Sequence, residues 1–164
     1  MRLSAKLALI ALGLFTTLVV VVSVFYLRHH ESRPASAQTA EAEFRELRAR
    51  FADQQPLLDM RERRARTEAG ASGASGPLRS FHTVIFDTRG GQRLVHITVP
   101  HWFARQFAGH GNQFRWLGQL TFLDDTEFDP EAIQLSLAQV EKRGPGLIAD
   151  YRHPNGGQFI SWVE

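Results

Sequence analysis

Seven histidines in a chain without cysteine raise the question of whether any has the spacing of a metal ligand or a catalytic base. None stands in a His-Glu-x-x-His motif, and no two are four apart on a helix, so the usual zinc ligand sets are absent. His96 is the candidate general base. It falls on the expected polar face of a strand, diagonal to Asp87, with Thr83 and Thr98 on the same face. An Asp that orients a His is part of a hydrolase-like site only when a nucleophile lies within hydrogen-bond reach. Sheet-face threonines are common for propensity reasons alone, so the plain reading of this face is structural. His82 reads as an edge residue of the core face, and His110, between two glycines, as an exposed loop residue.

Other reactive constellations are missing. Gly109-His110-Gly111-Asn112 lacks the Lys-Ser/Thr of a phosphate loop, and no Gly-x-Ser-x-Gly elbow occurs. Asp124, Asp125, Glu127 and Asp129 make an acidic turn without the spacing or glycine of an EF-hand, so helix capping is its reading. The sequence calls for no cofactor and no metal. Its densest chemical feature is aromatic: Trp102, Phe103, Phe107, Phe114 and Trp116. These side chains either form the core under a sheet or face outward in part. The outward reading makes Trp102, Phe103, Arg105 and Phe107 an interaction patch for a protein partner or a lipid surface.

Charge narrows the partners. Residues 1–76 hold 11 Lys and Arg against 8 Asp and Glu, while residues 77–164 hold 8 against 9. The C-terminal half therefore lacks the basic face of a nucleic-acid binder. Leu7 to Leu27 is an uncharged run (LALIALGLFTTLVVVVSVFYL). As one helix it would rise about 31 Å, enough for a bilayer core. It is longer than a signal-peptide core, and Ala35-Ser36-Ala37 lies too far beyond it for cleavage, so it reads as a retained single-span signal-anchor. A compact tail with Arg2 and Lys6 favours a cytoplasmic N-terminus and an extracytoplasmic domain in the cell membrane.

These features divide the chain into a tail at 1–6, a transmembrane helix at 7–27 and a linker at 28–39. Residues 40–76 follow, with an amphipathic helix, a short strand near Leu57, Leu58 and Met60, and a flexible Gly/Ala/Ser loop. Phe44, Leu47 and Phe51 make the helix's apolar stripe, and Pro56 stops it. The domain proper spans 77–164. Gly90-Gly91 predicts a hairpin with Phe86 opposite Val95 and Val84 opposite Ile97; Thr83, His96 and Thr98 then share the polar face. Residues 101–107 predict a short helix, and Phe114 to Phe122 a strand. Asp129-Pro130-Glu131 opens a helix with Ile133, Leu137 and Val140 inside and a stop at Gly144-Pro145. Asn155-Gly156 predicts a second hairpin, with Tyr151 opposite Ile160 and Ala149 opposite Trp162. The order β-β-α-β-α-β-β, mostly antiparallel with two hairpins, is an α+β domain.

The chain resembles a family of uncharacterised bacterial single-pass membrane proteins with a small C-terminal α+β domain. The similar stretches are the N-terminal run, Phe51 to Leu58, Arg93 to Pro100, Gly144 to Ile148 and the closing strand to Trp162. The resemblance implies an architecture and brings no activity. The expected function is therefore a membrane-anchored, non-catalytic binding or envelope-associated module. Its alternatives are a tethered hydrolase using His96 with Asp87, and a lipid-contacting domain using Trp102 and Phe103.

Overall fold

The computed structural model describes residues 12–17, 19–20, 23–24, 28–59, 64–65, 76–88, 91–108 and 135–164. They fold as α+β around one antiparallel five-stranded sheet. In chain order the elements are β1 (His30–Pro34), α1 (Ala37–Arg50), β2 (Leu58–Asp59), β3 (Arg64–Ala65), β4 (Ser80–Asp87), β5 (Arg93–Pro100), α2 (His101–Ala108), α3 (Leu137–Arg143), β6 (Gly146–Arg152) and β7 (Gln158–Val163). The sheet order is β1-β5-β4-β7-β6, and β2 pairs with β3 in a separate ribbon.

Among the described residues no helix is long and apolar enough to cross a membrane. This finding corrects the anchor, the integral single-span membrane partnership and the cell-membrane localisation together.

Residues 28–39, expected as a linker, contain β1, which pairs antiparallel with β5 from His30↔Ile97 to Pro34↔Arg93. Its sequence is polar because an edge strand needs apolar side chains only where a face is covered. Pro34 and the charged Glu31 and Arg33 suit an edge that must not recruit another strand. Helix α1 starts on Ser36, whose hydroxyl accepts from the Thr39 N–H, and ends at Phe51, before Pro56.

Both faces of the sheet are covered, and this decides the register. One face carries Phe81, Ile85, Val95, Ile97, Phe159 and Val163, packed against Ala104 of α2, Leu137 and Val140 of α3, and Leu57 and Leu58. The other carries Val84, Phe86, Leu94, Ile160 and Trp162 under Ala40 and Phe44 of α1. Val84↔His96, Ile85↔Val95 and Phe86↔Leu94 are partners, so the pairing is one residue away from the expected Phe86–Val95. The second hairpin shows the same step: Tyr151 faces Phe159 and Asp150 faces Ile160, with an irregularity between Leu147 and Ala149. Thr83 therefore separates from His96 and Thr98. It is buried on the opposite face, its hydroxyl 3.0 Å from that of Ser161.

Helix α3 has its own start. Ser136 is extended (φ −97°, ψ 153°), and it forms a capping box with Gln139. A single helix running from Asp129 is excluded by that extended residue. The expected Asp129 cap, the acidic turn and the strand 114–122 lie outside the described residues. Gly144 takes φ +83° and receives the end of the helix, as its position before Pro145 implies.

Candidate functional site

The candidate site is a groove where the first turns of α1 meet the β6–β7 turn. It has a volume of about 480 Å³, and its lining includes Ala37, Glu41, Phe86, Arg152, His153 and Gln158. Each side chain arrives there for a local reason. Ala37 and Glu41 are one turn apart on α1 and share a face. Phe86 and Gln158 are cross-strand partners and stand side by side. The turn 153–157 is closed by its own bonds. The His153 N–H donates to the Gly157 carbonyl, the Asn155 N–H to His153 Nδ1, and the Gly157 N–H to Asn155 Oδ1. Gly156 holds φ +90°, a conformation that costs other residues strain.

A polar chain fixes the floor. Arg48 of α1 donates to both carboxylate oxygens of Asp150, and its Nη1 donates to Gln158 Oε1 at 2.9 Å. Gln158 Nε2 donates to Glu41 Oε2 at 3.0 Å, and Arg152 pairs with the same oxygen. Gln158 is only 4% exposed, so its amide needed partners on both sides. The hydrogen bonds from Gln158 and then Arg152 hold the Glu41 carboxyl below its ordinary range, so it is ionised at neutral pH. The carboxylate of Asp150 raises the Arg48 guanidinium pKa.

The sequence candidates lie elsewhere and are not brought together. His96 stands on the α1 face, opposite Val84, while Asp87 is on the other face, opposite Arg93. His96 Nε2 instead lies 2.6 Å from Glu43 Oε1, off the axis that a hydrogen bond needs. Arg33 Nη2 reaches the other Glu43 oxygen at 2.5 Å. This cluster fastens β1, β5 and α1. On α2, Trp102 is 66% exposed and meets Phe103 edge-on at 5.6 Å; Arg105 is exposed and Ala104 is buried. The side chain of Phe107 lies outside the described residues.

His82, read as an edge residue, is held by contacts from several strands. Its ring stacks on Trp162 at 5.1 Å and 12°. Ser80 Oγ is 2.8 Å from Nε2, and Thr98 Oγ1 is 3.3 Å from Nδ1. Glu164 Oε2 is 3.9 Å from Nε2. Burial pushes the imidazole below its ordinary pKa; Glu164 opposes the shift and Arg50 adds to it. Its position beside the chain's last carboxylate and under Trp162 makes it a packing element of the sheet end.

No group of three or more metal-ligating side chains converges among the described residues. No family model matches the chain, and no curated protein or solved structure matches it. The groove was not visible in the sequence, because Glu41, Arg48, Asp150 and Gln158 come together over more than one hundred positions. The only local signal was Asn155-Gly156, which marked the turn that forms its wall.

Proposed function

We propose that this chain is a non-catalytic binding module that takes a segment of another protein in the groove between α1 and the β6–β7 turn. The observation that carries this reading is the hydrogen-bonded polar chain beneath the groove. Arg48, Asp150 and Gln158 hold Glu41 and Arg152 in place before any ligand arrives, which lowers the ordering cost of binding. The volume, about 480 Å³, falls in the range of binding sites, about 300–1,000 Å³. The floor groups are engaged with one another in a structural chain, and among the described lining residues there is no serine or threonine beside His153.

The test is site-specific photo-crosslinking in the cell of origin. A photo-reactive residue at Pro154, which is exposed on the rim, gives a discrete protein adduct. The same residue at Glu31, on the far edge of the sheet, does not. Ala37→Trp fills the groove from an exposed position and removes the adduct. An adduct that survives Ala37→Trp, or no adduct at Pro154, refutes the reading.

A second contact is favoured by Trp102. Large aromatic side chains are enriched among the residues that dominate protein interfaces, and Trp102 stands clear of the core. A photo-reactive residue at Arg105 reads this surface independently of the groove.

A further inference from the structure

We propose that the groove recognises a neutral amide, the side chain of a glutamine or asparagine in an extended segment of the partner polypeptide. This inference rests on the groove being a binding site. Its basis is the set of hydrogen-bonding positions that the polar chain leaves open. Glu41 Oε2 is taken by Arg152 and Gln158, but among the described residues Glu41 Oε1 accepts no bond. Arg152 uses Nη2 on Glu41, and its Nε and Nη1 donate to nothing among the described residues. The two residues form an ion pair, so a free acceptor and free donors stand next to each other in the groove lining.

That pattern complements a carboxamide. Its NH₂ donates to Glu41 Oε1, and its carbonyl accepts from Arg152. A carboxylate would meet Arg152 but also face Glu41, and an ammonium would meet Glu41 but face Arg152. The charged pair in the lining is neutral in sum, which removes a net electrostatic preference for either ion. Phe86 in the floor and Ala37 at the rim contact the aliphatic part of the side chain. An extended polypeptide supplies further amides along the same groove, and so is favoured over a small free amide.

The experiment uses the full chain and three tetrapeptides that differ at one position, Gln, Glu or Leu, each acetylated at the N-terminus and capped at the C-terminus as a dimethylamide so that the Gln side chain is the one primary carboxamide. Binding is followed by NMR at the Arg152 Nε–H and Gln158 Nε2 resonances. The Gln peptide shifts both and binds about ten-fold or more tightly than the other two, the effect of one hydrogen bond to a charged group. Arg152→Lys keeps the charge but loses the planar donors, and it erases the Gln preference. Acetamide alone binds far more weakly than the Gln peptide. Equal or tighter binding of the Glu or Leu peptide overturns the amide assignment and leaves the binding module intact. Acetamide binding as tightly as the peptide overturns the polypeptide occupant. If no peptide moves the groove resonances while Pro154 still crosslinks a protein, the amide assignment alone fails. If Pro154 traps nothing either, both readings fail.

Discussion

Arg48 of α1 and Asp150 of β6 meet as a fork across 102 positions of sequence. Nη2 lies 2.8 Å from Oδ1 and Nε lies 2.9 Å from Oδ2. Two parallel charge-assisted bonds fix the rotation of α1 over the sheet as well as its distance. The side chains are 30% and 26% exposed, so the pair lies between a surface bridge and a buried one. Arg48→Met should cost about 2 kcal/mol, between the small worth of exposed pairs and the larger loss from breaking a buried one. It also leaves Gln158 Oε1 without its donor. Urea unfolding at neutral pH measures the loss. A change under about 0.5 kcal/mol would class the fork with ordinary surface ion pairs.

Helix α1 belongs to the core by the same logic, which Phe44 tests. Its side chain is fully buried with Val84, Phe86, Leu94, Ile160 and Trp162. Phe44→Ala should cost about 3–5 kcal/mol, the transfer of a phenyl ring plus the cavity left behind. For a small domain that is a large share of total stability, so the variant should melt far below the parent in thermal unfolding. An effect near that of an exposed site would mean that α1 is only loosely laid on the sheet.

How much of this could be read from residues alone depends on what covers each strand. The two hairpins, α2 and the amphipathic stripe of α1 were legible, because turn residues and periodicity act locally. The register was not. Val84, Ile85 and Phe86 are consecutive and all buried, since α1 covers one face and α2 and α3 cover the other. A strand buried on both faces has no alternation to choose between two registers one residue apart. That single step sends Asp87 and His96 to opposite faces, which removes the dyad expected from sequence. Strand β1 was illegible for the opposite reason. His30–Arg33 is polar throughout, and the strand is held by pairing with β5. The groove's Arg48–Gln158–Glu41 chain has no local signature at all, because its partners are joined only by the fold.

Ser136 gives a smaller prediction with a sharper signature. Its hydroxyl accepts from the Gln139 N–H at 3.2 Å, and the Ser136 N–H donates to Gln139 Oε1 at 2.7 Å. Ser136→Ala should cost about 1 kcal/mol. Because α3 has only its seven residues from Leu137 to Arg143, losing one cap should also fray it. Amide hydrogen exchange should quicken at Gln139 and Val140, while β4 and β7 stay protected. Uniform quickening across the sheet would show that α3 unfolds only with the whole domain.

His82 makes stability depend on pH on the acid side of neutrality. Burial lowers its folded pKa, the Glu164 carboxylate raises it and Arg50 lowers it, with a net downward shift from the ordinary 6.5. The unfolded chain then binds a proton at a pH where the folded chain does not. The contribution is therefore complete above about pH 6.5 and is lost as pH falls through the folded value. The carboxyls of Glu41 and Glu164, both held below their ordinary 4.5, act in a separate window below that value. Unfolding free energy measured between pH 7.5 and 5.5 should fall, and His82→Phe should flatten that interval while keeping a ring stacked on Trp162. The imidazole resonances of His82 should titrate with a midpoint below 6.5 in the folded protein. A midpoint at or above 6.5 would mean that the Glu164 carboxylate, 3.9 Å away, outweighs burial, and stability would then rise as pH falls through this range.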